Sequence, residues 1–379
     1  MEGIYYGENS IQLLAVLKGF CLTNTSVETV NSKTAEWAIN TGLAAIVADF
    51  SDHRLVNNSL LELLTSSKLT SQFWTQTQLE AAKIIIKELN KKNIRPTLLK
   101  GISINTQLYS RPYYRAMSDI DILVNSSEIV STELILSMLG YEQRSTYSKE
   151  FYQTHHHTMP WQHSKNEIWL EIHKGLFPDS AINSNGIAFK LKTIHDERIK
   201  DDFFGFDVYR LSYELQIVYI ASHWAQSFKQ VGGVFALIDT ALIINQNYKL
   251  DWEKIIYWAN ESNIANYCYL VLQYLDSNGF IDETVNIKQY TAKIEHSLSG
   301  LDVYLLNKII TCYIIEGRSY GRIMTKTNVN IIWKKLLASS TFFPRVWIIP
   351  IAIIFPEESA RKFNLKFQIS RIMSLFRKK

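Results

Sequence analysis

The sequence predicts an α+β fold, in which a small mixed β-sheet is flanked by an N-terminal and a C-terminal helical region. Three observations carry this expectation. Up to about residue 80 the apolar residues recur three and four apart, the spacing of a helix face. Between 81 and 205 they shorten into runs with period-two alternation, above all DIDILV (119–124) and EIWLEIH (167–173). From Arg210 onward the helical spacing returns. Three units follow, 1–80, 81–205 and 206–379, with no Pro/Gly/Ser-rich linker between them. The 47% hydrophobic content excludes a disordered chain, whose buried apolar surface could not offset its folding entropy.

In the first unit, Asn9 and Ser10 precede IQLLAVLKGFCL, and Thr34 precedes AEWAINTGLAAIVADF, each a cap followed by a helical run. QFWTQTQLEAAKIIIKELN (72–90) reads as a long amphipathic helix stopped by KKN. In the second unit, IRPTLLK (94–100) predicts a strand running into a helix at Gly101, and DIDILV a half-buried strand. Asn125, Ser126 and Ser127 cap the helix EIVSTELILSML, after which HHHTMPW (155–161) and EIWLEIH are read as two more strands. The third unit holds the helical runs LSYELQIVYIASHWAQSF, VFALIDTALIINQ and WEKIIYWANESNIANYCYLVLQYL.

The net charge of +4 is modest, but its distribution is not. Residues 317–379 carry 13 Lys/Arg and 2 Glu, against 27 basic and 34 acidic residues in the rest of the chain. At the end of this segment Leu365, Ile369, Ile372 and Phe376 share one helical face among basic residues. Such a stripe suits a polyanion or an anionic membrane surface, or a helix docked on its own protein. The run FFPRVWIIPIAIIF (342–355) is 14 residues long, holds Arg345 and is broken by Pro344 and Pro350. A membrane span needs about 20 apolar residues, so none is expected. Cys21, Cys268 and Cys312 lie far apart and suit reduced thiols in a cytoplasmic protein. The N-terminus lacks the basic region of a secretory signal.

The chemistry gathers in the second unit. Asp119 and Asp121 are two apart on a strand, so both carboxylates face one side. Two carboxylates at that range repel unless a cation joins them, and magnesium takes one or two carboxylates together with substrate phosphates. Taken alone, the pair also fits a solvated edge strand. Upstream, Leu99, Lys100, Gly101 and Ser103 form a strand-to-helix turn whose free N–H groups favour an anion. There Gly101 permits close approach, and Lys100 and the Ser103 hydroxyl reach toward phosphate. Downstream, Glu171 and His173 share a strand face and supply a third carboxylate, as a two-metal site requires. Arg115, four residues before Asp119, is read either as a bridge from phosphate to the carboxylates or as a surface arginine.

Three adjacent histidines, His155, His156 and His157, invite a zinc reading. On a strand their side chains alternate between faces and cannot converge on one ion, so a structural or substrate-side role for His156 or His157 is expected instead. Asp239 sits among Phe235, Ala236, Leu237, Ile238, Ala241 and Leu242, where an unpaired carboxylate is costly. It is expected either to pair with an arginine, His223 or a helix N-terminus, or to face the cleft as a base. His157, His173, His223 and Asp239 are thus the candidates for the acceptor side.

LLKG (98–101), Tyr109, RxxSDIDILV (115–124), HHxxP (156–160) and EIH (171–173) together resemble the bacterial family of uncharacterised nucleotidyltransferases, within the DNA polymerase β type superfamily. SHWAQ (222–226), LID (237–239) and Asp251-Trp252 extend the resemblance over roughly residues 30 to 345. It departs from the wider superfamily in having Lys-Gly at the helix start, with 17 residues between Gly101 and Asp119. The resemblance implies metal-dependent transfer of a nucleoside monophosphate from an NTP, ATP by default, to an acceptor hydroxyl or phosphate, with release of pyrophosphate. It implies that Asp119, Asp121 and Glu171 hold Mg²⁺ or Mn²⁺, and that Lys100, Gly101, Ser103 and Arg115 bind the nucleotide. The acceptor is a small molecule, a glycan precursor, a peptide or a protein.

Two alternatives stand beside this reading. One is a nucleotidyltransferase-like module that binds without turnover. The other is a metal-dependent glycosyltransferase using the same DxD, which the helical texture of the preceding ninety residues disfavours, because such enzymes place several βα units before it.

Overall fold

In a computed structural model of the chain, the described residues are 8–22, 28–145, 147, 149–177, 186–226, 230–246, 249–262, 264–296, 298–301 and 303–304. The apolar run at 342–355, the basic segment 317–379 and Cys312 lie outside them. Among the described residues, no helix is long and apolar enough to cross a membrane, and Cys21 and Cys268 are buried free thiols.

The first unit is helical but not wholly so. Helix α1 (Glu8–Leu22) leads to strand β1 (Glu28–Asn31), then α2 (Ser32–Thr41), α3 (Ala44–Phe50) and β2 (Ser51–Leu55). The run expected as one helix from Thr34 breaks at Gly42, whose φ of 79° ends α2 in a left-handed cap. Strands β1 and β2 pair parallel as a small separate sheet. Their sequences, ETVN and SDHRL, are too short and polar to show a pattern. Helix α4 (Asn58–Lys91) then runs 34 residues, with the Asn57 side chain accepting from the Leu60 N–H at its start.

The second unit folds as one mixed sheet. Its strands are β3 (Thr97–Leu98), β4 (Asp119–Leu123), β5 (Tyr141–Gln143), β6 (Trp161–His163), β7 (Trp169–His173), β8 (Arg198–Phe203) and β9 (Phe206–Leu211). They lie in the order β5-β6-β7-β4-β3-β9-β8. Helix α5 (Lys100–Leu108) follows β3, and α6 (Ile129–Met138) follows β4 after a capping box between Asn125 and Glu128. The β8–β9 hairpin was not expected. It turns on Phe204 and Gly205, both at positive φ (52° and 89°), as the tightest two-residue turns require. The sheet therefore continues to Leu211, beyond the boundary at 205.

HHHTMPW is not a strand. Residues 155–160 are irregular, with His157 in a single bridge to His173, and the strand starts at Trp161. A short helix, α7 (Lys149–Gln153), precedes this segment, and α8 (Leu191–Glu197) precedes β8.

Helices α9 (Tyr213–Gln226), α10 (Gln230–Gln246), α11 (Trp252–Glu261), α12 (Ala265–Ser277) and α13 (Ile287–Thr291) form the third unit; the periodicity predicts the first four, with α11 and α12 as one run, and does not reach α13. Its apolar faces do not make a separate core. Leu13, Val16 and Phe20 of α1 and Ala44–Val47 of α3 share one cluster with Tyr219, Phe235, Ile238 and Leu270. A second cluster fills the other side of the sheet, where Ile120, Ile122, Leu170 and Ile172 pack with Ile85, Ile86 and Leu89 of α4 and Leu136 of α6. The sheet is thus covered on both faces, and the polar face of its middle strands meets the helical body.

Candidate active site

Strands β4 and β7 pair parallel, with Asp119 opposite Trp169, Asp121 opposite Glu171 and Leu123 opposite His173. In register, opposed residues share a face. The alternation that buries Ile120, Ile122, Leu170 and Ile172 therefore turns Asp119, Asp121, Glu171 and His173 together to the other side. Strand β3 runs antiparallel to β4 and delivers the start of α5 beside them: the Leu99 N–H donates to the Asp121 carbonyl at 3.1 Å.

The turn at 99–101 differs in detail from the expectation. The left-handed residue is Lys100 (φ 49°), not the glycine, and holding a lysine there costs about 1–2 kcal/mol. Gly101 is needed for packing: a Cβ on it would lie 2.7 Å from the Met117 side chain. Ser103 is buried one turn into α5.

Lys100 reaches inward rather than outward. Its Nζ lies 2.8 Å from Asp121 Oδ1 and 4.0 Å from Glu171 Oε2. His173 Nε2 lies 2.7 Å from the same Asp121 oxygen and 3.5 Å from Glu171 Oε2. Burial disfavours the charge of Asp121, but Lys100 and His173 outweigh it and hold the carboxyl well below the usual range. Burial likewise opposes the His173 cation, and hydrogen bonds to Asp121 and Glu171 raise its pKa in spite of it. Lys100 follows the same logic, burial being outweighed first by Asp121. Glu171 is held low, chiefly by His173 against its own burial.

Asp119 is the exception. Burial, then the nearby charge of Asp121, pushes its carboxyl up to about 6, with Lys100 only partly opposing. A hydrogen bond from Ser118 Oγ at 2.8 Å is its one short side-chain contact among the described residues. This imbalance of carboxylates over local cations is what a divalent ion relieves. Asp121, Glu171 and His173 bring one ligand atom each to within 4.8 Å of one another, and the carboxylate oxygens suit a hard cation.

The three consecutive histidines correct the sequence expectation. Because the segment bends instead of extending, their side chains do not alternate: one ligand nitrogen from each of His155, His156 and His157 lies within 4.8 Å of the others. Burial lowers all three pKa values, that of His155 to about 4. His157 Nδ1 lies 2.6 Å from the Thr158 carbonyl, and its Nε2 is 3.6 Å from Glu171 Oε1.

Asp239 resolves as a satisfied pair. Only 1% exposed on α10, it accepts from the Tyr109 hydroxyl at 2.6 Å and from Arg115 Nε at 3.0 and 3.1 Å. Arg115 also donates to the Ala116 carbonyl at 2.7 Å and lies over the Phe235 ring. Burial nonetheless raises the Asp239 pKa, because pairing does not fully repay the lost hydration. Arg115 is therefore a clamp from α10 to the segment entering β4 and not a surface residue. The partners of Asp239 among the described residues are Tyr109 and Arg115, and His223 falls on α9 at a position whose side chain lies outside the described residues.

One residue escaped the sequence reading. Tyr219 on α9 is buried against Phe177, close enough to Lys100, Asp121, Glu171 and Asp119 that their charges bear on its hydroxyl. Its only signal is a helical apolar position, indistinguishable from core.

Residues 32–278 match the family described as uncharacterised nucleotidyltransferase. The chain belongs to that family. No curated protein matches it. Among solved structures, this nucleotidyltransferase family member is similar in fold to the antibiotic-resistance factor ANT(2'')-Ia, with 14% identity, a TM-score of 0.33, and coverage of 48% of this chain and 88% of that one. It is also similar to an antigenic nucleotidyltransferase-like protein from Paracoccidioides brasiliensis, with 15% identity, a TM-score of 0.39, and coverage of 58% and 94%.

Proposed function

We propose that the protein transfers a nucleoside monophosphate from an NTP, ATP first among them, to an acceptor hydroxyl or phosphate, with Asp119, Asp121 and Glu171 holding Mg²⁺ or Mn²⁺. The observation that carries this is the β4–β7 register, which sets Glu171 opposite Asp121 with Asp119 on the same face. Family membership over residues 32–278 supports the reaction class and leaves the glycosyltransferase alternative without support.

When bound, the divalent ion supplies charge neutralisation and polarisation at the phosphoryl oxygens. The rest falls to the chain's own groups. The first turn of α5 begins at Lys100, and its free N–H groups favour the triphosphate, while the Lys100 ammonium, 2.8 Å from Asp121 Oδ1, holds that carboxylate in place. His173, at 2.7 Å, fixes the orientation of Asp121. Glu171 is ionised at neutral pH, and its Oε1 accepts the proton of the acceptor hydroxyl. The acceptor oxygen bonds the α-phosphorus, the bond from that phosphorus to the bridging oxygen breaks, and pyrophosphate leaves. Arg115 and Asp239 position the segment that enters β4 and do not touch substrate.

The test supplies each of the four α-³²P-labelled NTPs with Mg²⁺ or Mn²⁺ and cell extract, and identifies the labelled product by mass. Label transfer with pyrophosphate release is expected, and Asp119→Ala abolishes it. Should wild type behave as the variant does, the protein is a binding module without turnover.

A further inference from the structure

Beside the carboxylates lies a group of side chains that nucleotidyl transfer does not use. We propose that His155, His156 and His157 form a binding site for a borderline divalent transition metal of the zinc class, distinct from the oxygen-rich site of Asp119 and Asp121.

The three imidazoles are gathered within reach of one ion. One nitrogen from each imidazole lies within 4.8 Å of the other two, and the ring centroids are 4.3, 4.3 and 4.8 Å apart. Ligands on one tetrahedral zinc stand about 3.4 Å apart, at bonds of about 2.0–2.1 Å, so modest rotations of the rings close the set. Nδ1 of His155 and Nδ1 of His156 are buried with no hydrogen-bond partner among the described residues. A buried imidazole nitrogen left so is costly, and a cation satisfies both lone pairs at once.

His157 is oriented as a metal ligand is. Its Nδ1–H donates to the Thr158 carbonyl at 2.6 Å, which leaves the Nε2 lone pair free. That Nε2 faces Glu171 Oε1 at 3.6 Å, too long for a hydrogen bond and compatible with two ligands sharing one ion. The backbone holds the segment in place: Lys174 and Gly175 N–H groups donate to the His156 carbonyl at 2.8 and 3.2 Å, and the Thr158 N–H to the Ile172 carbonyl at 2.8 Å. Neutral imidazoles select zinc, nickel or cobalt over magnesium, which takes oxygen ligands and keeps its waters. Three histidines leave one position open to Glu171 or to a ligand from solution. The site goes beyond the proposed reaction, since it binds metal in a chain that transfers nothing.

Cobalt(II) is the probe. Metal-stripped, untagged full-length protein is titrated with it under excess Mg²⁺, which occupies the oxygen site. The expected result is the intense visible absorption of tetrahedral, nitrogen-ligated cobalt, saturating at one ion per chain and reversed by Zn²⁺. His155→Gln and His156→Gln lose the band, while Asp119→Asn keeps it. Zinc-edge X-ray absorption of the wild-type protein, which needs no variant, is expected to show three imidazoles. The proposal is overturned if wild type gives no such band under excess Mg²⁺, if the band survives both histidine variants, or if zinc shows a shell of oxygens alone.

Discussion

Two buried carboxylate centres stand out among the described residues, and they are built to opposite ends. At Asp239 a single carboxylate meets a single guanidinium and a phenol, with every contact between 2.6 and 3.1 Å. At β4 and β7 three carboxylates crowd one sheet face against Lys100 and His173, and both of those groups lie closest to Asp121. The first centre is closed: charge matches charge, and nothing is left over. In the second, Asp119 is carried up to about 6, first by burial and then by the charge of Asp121. A pair that balances its own charge serves the fold. A cluster that cannot do so suits a cationic ligand, as the proposed function requires.

The contrast can be broken most forcefully through activity. Asp119→Asn is expected to reduce transfer of label from an NTP by about a thousandfold or more, since several kcal/mol of transition-state stabilisation goes with the cation. Next come the two paired carboxylate sites, where loss of one partner strands the other. Arg115→Ala leaves Asp239 buried without a countercharge, and Asp121→Asn leaves Lys100 without its nearest carboxylate. Each is expected to cost about 3–5 kcal/mol in denaturant unfolding. If Arg115→Ala were thermally silent yet inactive, the closed centre would be misassigned.

Asp119 sharpens the comparison because its sign is reversed. Its folded pKa of about 6 stands above the ordinary 3.8, so folding favours the protonated form. Ionised, it weakens the metal-free fold: the penalty is absent below about pH 4, grows through pH 6 and is complete above it. Asp119→Asn is therefore expected to stabilise the metal-free protein at pH 7.5 by roughly 2–3 kcal/mol, and by nothing at pH 4. Asp121→Asn moves stability the other way. Urea titrations of both variants at the two pH values check this. The smallest effect belongs to Tyr109→Phe, which removes one hydrogen bond to Asp239 and is expected to cost about 1–2 kcal/mol.

What could be read in advance follows from the range of each interaction. DIDIL and WLEIH carry their own alternation, so both strands and the facing of Asp119, Asp121, Glu171 and His173 were legible. That Asp121 and Glu171 stand opposite was not, because the residues between them form α6, β5 and β6 before the chain returns. The same distance hid the inward turn of Lys100 and the presence of Tyr219. The partner of Asp239 was legible as a need, since a carboxylate among apolar residues requires one, but Arg115 as the answer depends on how α10 packs. The histidines differ for another reason: a strand would alternate their side chains between faces, but the backbone bends here, and the bend brings them together.

If the carboxylate cluster is a cation-dependent nucleotide site, thermal unfolding shows it without any acceptor. Each NTP is added to metal-stripped protein with and without Mg²⁺ or Mn²⁺, for wild type and Asp119→Asn. The predicted result is a rise in melting temperature that requires nucleotide and cation together and disappears in the variant. Equal stabilisation by nucleotide without the cation, and in Asp119→Asn as in wild type, would contradict it.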